Sequence, residues 1–153
     1  LAAAGVPVAE PLAWAAWREG MGRVEGLLTR ELSGAEPLDR FLRQVCEDPD
    51  KRREILKGYA ELMAAFHRVG FSNRDLKDEN VLCSQARPFR LWAVDLDGTR
   101  PRWRLTRRRA GRDLYRVGRS LKACGCAEPE DVRGFFQVYN RLVPRLARDA
   151  FPE

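Results

Sequence analysis

Asn73-Arg74-Asp75-Leu76-Lys77-Asp78-Glu79-Asn80-Val81-Leu82 is the stretch that decides the fold, read together with Ala93-Val94-Asp95-Leu96-Asp97-Gly98. Asp, Asn and Gly are ordinary turn residues, so neither stretch says much alone. Their setting says more. A long amphipathic segment precedes the first, with His67 and Gly70 at its end. Val81-Leu82-Cys83 and Arg90 to Val94 then read as two short strands joined by a turn containing Pro88, and Asp95 closes the second. Such a hairpin would return Asp95 to Asn80.

Upstream, the amphipathic segment has clear ends. Asp48 is a good N-cap, Pro49 suits the first helical position, and Gly70 suits a stop. Ile55, Tyr59, Leu62, Met63 and Phe66 fall on one apolar face. A shorter helix opens at Glu36-Pro37, with Leu38, Phe41, Leu42 and Val45 at helical spacing. Before it, Leu12 to Trp17 and Val24 to Leu32 flank the turn-rich Arg18-Glu19-Gly20-Met21-Gly22, which predicts a hairpin. Val6-Pro7-Val8 reads as extended chain.

Downstream, Thr99 to Gly111 is very basic and is expected to be irregular. Asp113 to Lys122 predicts a helix with Leu114, Val117 and Leu121 inward. A last helix starts near Pro129, with Val132, Phe135, Phe136, Tyr139, Leu142 and Leu146 on one face and a bend at Pro144.

The loop motifs resemble those of the protein-kinase-like superfamily, whose catalytic loop reads H-R-D-L-x-x-x-N and whose metal loop reads D-F-G. Here Asn73 replaces the His, and Asp95-Leu96-Asp97 stands in the metal loop. An Asp-hydrophobic-Asp variant is similar to the bacterial lipopolysaccharide core kinases, which phosphorylate Kdo or heptose sugars. Gly5 to Leu12 resembles the segment before that family's fourth strand, and Leu28 to Leu32 its hinge. Leu62 to Asn80 resembles its catalytic stretch. Arg112 to Val117, with Arg119-Ser120-Leu121, resembles a later helix.

The resemblance implies an α+β, protein-kinase-like fold. Residues 1–32 would be the end of the N-terminal lobe and 33–153 the mainly helical C-terminal lobe. It implies ATP and Mg2+ as cofactors. Asp75 would accept the acceptor hydroxyl proton, and Lys77 would set a cation near the transferring phosphoryl group. Asn80 and Asp95 would ligate magnesium, which favours hard oxygen ligands. The backbone of Glu31 and Ser33 would contact adenine. Asp39 is either near the ribose or a solvated helix residue. Asp97 is read as structural in preference to a second metal ligand. Asp113 would brace the catalytic loop or cap a helix, and His67 would pack or brace the loop.

No G-x-G-x-x-G occurs and no Lys precedes Lys51, so the phosphate-clamping parts of a complete kinase are not found. With no initial Met, the expectation is a chain that begins inside a longer protein and binds ATP weakly by itself. A catalytically inactive pseudokinase or binding fragment is the competing class, opposed by the retained Asp75, Lys77, Asn80 and Asp95. A protein or small-molecule kinase on the same fold is another alternative.

Composition bounds the rest. In 153 residues, 44% are hydrophobic and 33% charged, which fits a globular chain. No apolar run approaches the roughly 20 residues of a membrane span, and Leu1 to Ala4 lacks a basic flank, so no secretory signal is read. Cys46, Cys83, Cys124 and Cys126 have neither zinc spacing nor the density of a disulfide scaffold, and reduced thiols in a cytoplasmic protein are expected. The net charge of +6 suits anionic partners. Arg100, Arg102, Arg104, Arg107, Arg108, Arg109 and Arg112 lie just beyond the metal loop. The expected partner is an anionic glycolipid or sugar acceptor, with peripheral attachment to the inner membrane. Nucleic acid is not expected, because Trp103 is the only aromatic residue in the Arg run.

Overall fold

The computed structural model describes residues 1–147. Residues 148–153, the end of the expected second region, lie outside the described residues. Among the described residues the architecture is α+β, as expected: three small sheets and five α-helices.

Strands β1 (Pro11–Glu19) and β2 (Gly22–Thr29) form the expected antiparallel hairpin. Glu19 faces Gly22 across a turn in which Gly20 takes φ 60, a left-handed value glycine adopts at little steric cost. Leu12, Trp14, Trp17, Leu27 and Leu28 remain exposed on this hairpin. The second strand stops at Thr29, short of Leu32. The extended reading of Val6-Pro7-Val8 holds: Val8 bridges Ala93 in parallel, and Val6 is buried.

Strand β3 (Ala35–Pro37) leads into α1 (Leu38–Gln44), which buries Leu38, Phe41 and Leu42. Helix α2 (Pro49–Arg68) follows. The Asp48 carboxylate accepts from the Lys51 amide at 3.0 Å and so caps it. Ile55, Tyr59, Leu62, Met63 and Phe66 are all buried, which is the predicted apolar face. Gly70 turns the chain at φ 82. A Cβ there would lie 3.1 Å from the Arg102 carbonyl, so only glycine fits without strain.

Strand β4 (Phe71–Asn73) comes next. Strands β5 (Val81–Ser84) and β6 (Leu91–Ala93) are the two short strands expected around Pro88, and with β3 they form an antiparallel sheet in the order β3-β5-β6.

The basic segment corrects the sequence reading twice. Thr99–Pro101 is strand β7, paired antiparallel with β4. Three residues on each side are too few to show a period of two. Helix α3 (Arg107–Cys124) then starts six residues before Asp113. Its first turn is Arg107, Arg108 and Arg109, where the helix dipole favours acids, so the usual start signal was missing. Asp113 is therefore mid-helix, and the capping alternative for it falls.

Helices α4 (Pro129–Leu142) and α5 (Pro144–Ala147) replace the single bent helix. Pro144 ends one and opens another, because proline lacks the amide proton that would continue the ladder.

Helix α2 packs along α4, and Tyr59 meets Phe135 edge-on at 5.9 Å between centroids. A buried ion pair pins the two helices: Arg52 Nε lies 2.5 Å from Asp131 Oδ2, and its Nη1 donates to the Cys46 carbonyl at 2.5 Å. Asp131 also accepts from the Glu128 amide at the start of α4. Removing one partner of a buried pair strands the other charge. Arg52→Ala is expected to lower unfolding free energy by about 3–5 kcal/mol, read from urea denaturation; a loss below about 1 kcal/mol would show the pair to be dispensable.

Candidate active site

The loop after β4 is built by short-range hydrogen bonds. Asn73 is buried, and its Oδ1 accepts from the Asp75 amide at 2.8 Å. The residue that departs from the family pattern thus still does a scaffold's work. Leu76 is 2% exposed and anchors the loop in the core, where its carbonyl accepts from the Tyr59 hydroxyl at 3.4 Å. The Lys77 amide donates to the Asp75 carbonyl and the Asn80 amide to the Lys77 carbonyl, both at 2.9 Å. Asp78–Asn80 is one 3-10 turn.

Asn80 closes the loop. Its Nδ2 donates to the Asp75 carbonyl at 2.8 Å and stands 3.5 Å from Asp95 Oδ2. The Val94 amide donates to the Asn80 carbonyl at 2.9 Å, so the β5–β6 hairpin returns Asp95 to Asn80 as the sequence predicts. Asp95 itself holds φ 52 and ψ 69, a left-handed conformation that costs a non-glycine residue energy and clusters at functional sites.

Gly98 sets the other wall. A Cβ on it would overlap Asp75 Oδ2 and come within 2.8 Å of Asn73 Oδ1. Its carbonyl accepts from the Arg74 amide at 3.4 Å. The glycine that ends Asp95-Leu96-Asp97-Gly98 is thus fitted to the Asp75 carboxylate. Sequence reading gave it no role, although its place two residues past a motif Leu was visible.

The other expected site residues fall as follows. Lys77 is exposed and its Nζ lies 2.5 Å from Glu79 Oε2. Glu79 raises the Lys77 pKa, and Lys77 in turn lowers that of Glu79. The loop therefore presents Lys77 as one half of an ion pair. Glu31 and Ser33 sit in the exposed link between β2 and β3, and their backbone groups find no partner among the described residues. Asp97 is exposed, with its carbonyl accepting from Arg100 Nη1 at 2.8 Å. Asp39 lies in the first turn of α1.

His67 is fully buried between helices. Its Nδ1 is 2.5 Å from the Tyr139 hydroxyl and its Nε2 3.5 Å from Asp113 Oδ2. This is the packing role expected for it. Asp113 also accepts from Arg116 Nη1 at 3.1 Å, and no bond from Asp113 to the loop backbone occurs among the described residues.

Asp78 and Ser120 escaped sequence reading. Asp78 is 3% exposed and accepts from the Ser120 hydroxyl, which ties the loop to α3. Nothing in the spacing of Asp78 marked it as buried. Burial raises its pKa, and the Asp39 carboxylate adds to the shift.

Two oxygen-bearing side chains, Asn80 and Asp95, face each other, and no group of three or more His, Cys, Asp or Glu gathers for a metal among the described residues. The pair fits magnesium, which retains waters and shares its shell with phosphate oxygens. A zinc-type cage is not formed, and all four cysteines are free thiols.

A profile of the lipopolysaccharide kinase (Kdo/WaaP) family matches residues 1–139. Among solved structures, the chain is similar to "WaaP in complex with acyl carrier protein". The TM-score is 0.77 at 23% identity, over 98% of this chain and 70% of that one. No curated protein matches. The structural likeness shows the protein-kinase-like fold.

The raised Asp78 pKa fixes a sign. The folded state holds the proton that the unfolded chain releases near pH ~3.9. Asp78 thus favours folding at low pH, and that contribution is lost as pH rises through the folded value. Resistance of the natural chain to urea should fall as pH rises, relative to Asp78→Asn, across this window. Parallel curves for the two proteins would contradict it.

Proposed function

The chain belongs to the lipopolysaccharide kinase (Kdo/WaaP) family, and on that premise we propose that it serves ATP-dependent phosphoryl transfer to a sugar hydroxyl of lipopolysaccharide core or a related glycolipid. The observation that carries this reading is the Asn80 side chain, set between the Asp75 carbonyl at 2.8 Å and Asp95 Oδ2 at 3.5 Å. It draws Asp75, Asn80 and Asp95 into one loop system, which supports reading them as a proton acceptor and two magnesium ligands.

Asp75 orients the acceptor hydroxyl and takes its proton. Its carboxylate is held by Gly98 on one side and by the Arg74 guanidinium, 3.3 Å from Oδ2, on the other. Asn80 and Asp95 hold magnesium, which supplies charge neutralisation to the phosphate oxygens when bound. Lys77 joins them by exchanging Glu79 for a phosphoryl group, an easy exchange because an exposed ion pair contributes little. The open backbone of Glu31 and Ser33 receives the adenine at the junction between residues 1–32 and the rest.

The acceptor side is basic. Arg68, Arg102, Arg104, Arg108 and Arg145 line an open groove of about 910 Å³ with Trp103, which is fully exposed. Arg forks suit phosphate and carboxylate, and an exposed Trp suits a membrane interface. No helix among the described residues is long and apolar enough to cross a membrane. The reading therefore puts the protein on the cytoplasmic face of the inner membrane, peripherally attached.

Radiolabelled phosphate transfer from ATP to isolated lipopolysaccharide inner core tests the reading. Asp75→Asn is expected to cut turnover by at least about 100-fold, the scale of a lost general base. Gly98→Ala should displace the Asp75 carboxylate and cost a similar factor of about 100, with the circular dichroism spectrum unchanged. Transfer that survives Asp75→Asn would remove the assignment.

A further inference from the structure

A second, smaller cavity of about 190 Å³ opens where β4, the end of β7 and α3 meet. Five arginines line it, Arg74, Arg102, Arg109, Arg112 and Arg116, together with Ser72 and Asp113. Five arginines thus share the walls with one carboxylate, Asp113, which is already engaged, while Arg74 also pairs with Asp75 just outside. Asp113 is buried, accepts from Arg116 at 3.1 Å and faces His67 Nε2 at 3.5 Å. The guanidiniums of Arg109 and Arg112 have no hydrogen-bonding or ionic partner among the described residues.

The sequence places this charge deliberately close. Arg109, Arg112 and Arg116 are spaced three and four apart on α3, so they share a helix face. Like charges at these spacings repel and destabilise a helix. Arg102 Nε donates to Ser72 Oγ at 3.3 Å, which leaves the Ser72 hydroxyl proton free for a ligand. An anion with several acceptor oxygens would satisfy all these donors at once.

The position of the cavity says whose anion it is. Arg74 lines it and also lies 3.3 Å from Asp75 Oδ2. Neither Asn80 nor Asp95 nor Lys77 takes part in its walls. An anion here is therefore next to the proton acceptor and apart from the metal pair, which is where the acceptor and not the nucleotide belongs.

We propose that this cavity binds a phosphomonoester or carboxylate already carried by the sugar acceptor, and thereby orients the neighbouring hydroxyl toward Asp75. The proposal rests on the kinase reading above. It adds that the substrate is selected for an anionic group beside the hydroxyl that reacts.

The test is titration of the whole 153-residue chain with inorganic phosphate, followed by the arginine side-chain NMR signals. The natural chain should show saturable binding. Arg109→Gln with Arg112→Gln should weaken it by at least about tenfold, while Arg104→Gln with Arg108→Gln in the larger groove should change it less than about twofold. Equal losses in both pairs, or no saturation at all, would overturn the subsite. In a second arm, glucose 6-phosphate should compete with inorganic phosphate and glucose should not. Competition by anionic lipid vesicles but not by the sugar phosphate would assign the anion to a headgroup and overturn the proposal. Asp75→Asn should keep the titration saturable, with binding no weaker than in the natural chain because Arg74 loses its competing carboxylate, while abolishing transfer. Transfer that depends on Asp75 without phosphate binding in the cavity would sink the subsite alone, and phosphate binding together with transfer that survives Asp75→Asn would sink the kinase reading instead.

Discussion

The closure of the Asp75–Asn80 loop is the constraint on which the site depends. One side-chain amide joins the Asp75 carbonyl to the edge of the Asp95 carboxylate, and everything else serves to hold that amide still. Leu76 sinks into the core beneath Tyr59. Asp78 reaches Ser120 on α3. Asn73 fixes the amide of Asp75 from the strand side. Each anchor comes from a different element: a long helix, a late helix and a three-residue strand. A short loop with three independent anchors has little freedom left to lose when a ligand arrives, and that is what preorganisation requires. The cost is visible in Asp95, which holds φ 52 where the β5–β6 hairpin brings it to Asn80.

Much of this was legible in the sequence, and the reasons are particular. Helix α2 announced itself through Asp48, Pro49, an unbroken apolar face and Gly70, four signals of different physical origin that agreed. The hairpin of β1 and β2 was marked by its glycines. The loop residues were readable because their chemistry is specific at fixed spacing. What stayed hidden depends on contacts between distant segments. Strand β7 exists only because β4 lies beside it, and three residues carry no period. The Ser120–Asp78 contact joins residues 42 positions apart. Gly98 was in plain view, but its reason is the carboxylate that crowds it, which no spacing rule reports. Asp113 looked like a cap because the three arginines before it looked unlike the start of a helix.

Those arginines explain more than a missed boundary. Helix α3 carries cations in its first turn, against its dipole, and continues them along one face. Ordinary helices avoid both arrangements. The core face of the same helix is well made: Ala110, Leu114, Val117 and Leu121 are buried against the rest of the chain. Packing therefore supplies enough stability for the solvent face to be spent on charge. Asp113 turns inward to His67 and pairs with Arg116 alone, which leaves Arg109 and Arg112 of the row without a carboxylate among the described residues.

The site and the basic face meet at one residue. Arg74 stands in the Asp75–Asn80 loop's first turn, 3.3 Å from the Asp75 carboxylate, and also lines the arginine cavity. It can therefore report on both. Arg74 thus stands between the Asp75 carboxylate and the other arginines of the cavity. An anion bound there, as proposed, would offer Arg74 a second partner beside the Asp75 carboxylate. Arginine suits this position better than lysine, because its planar fork can serve two anions at once while staying charged throughout. Such a link would follow from one side chain shared by two places and would leave the anchored loop backbone where it is.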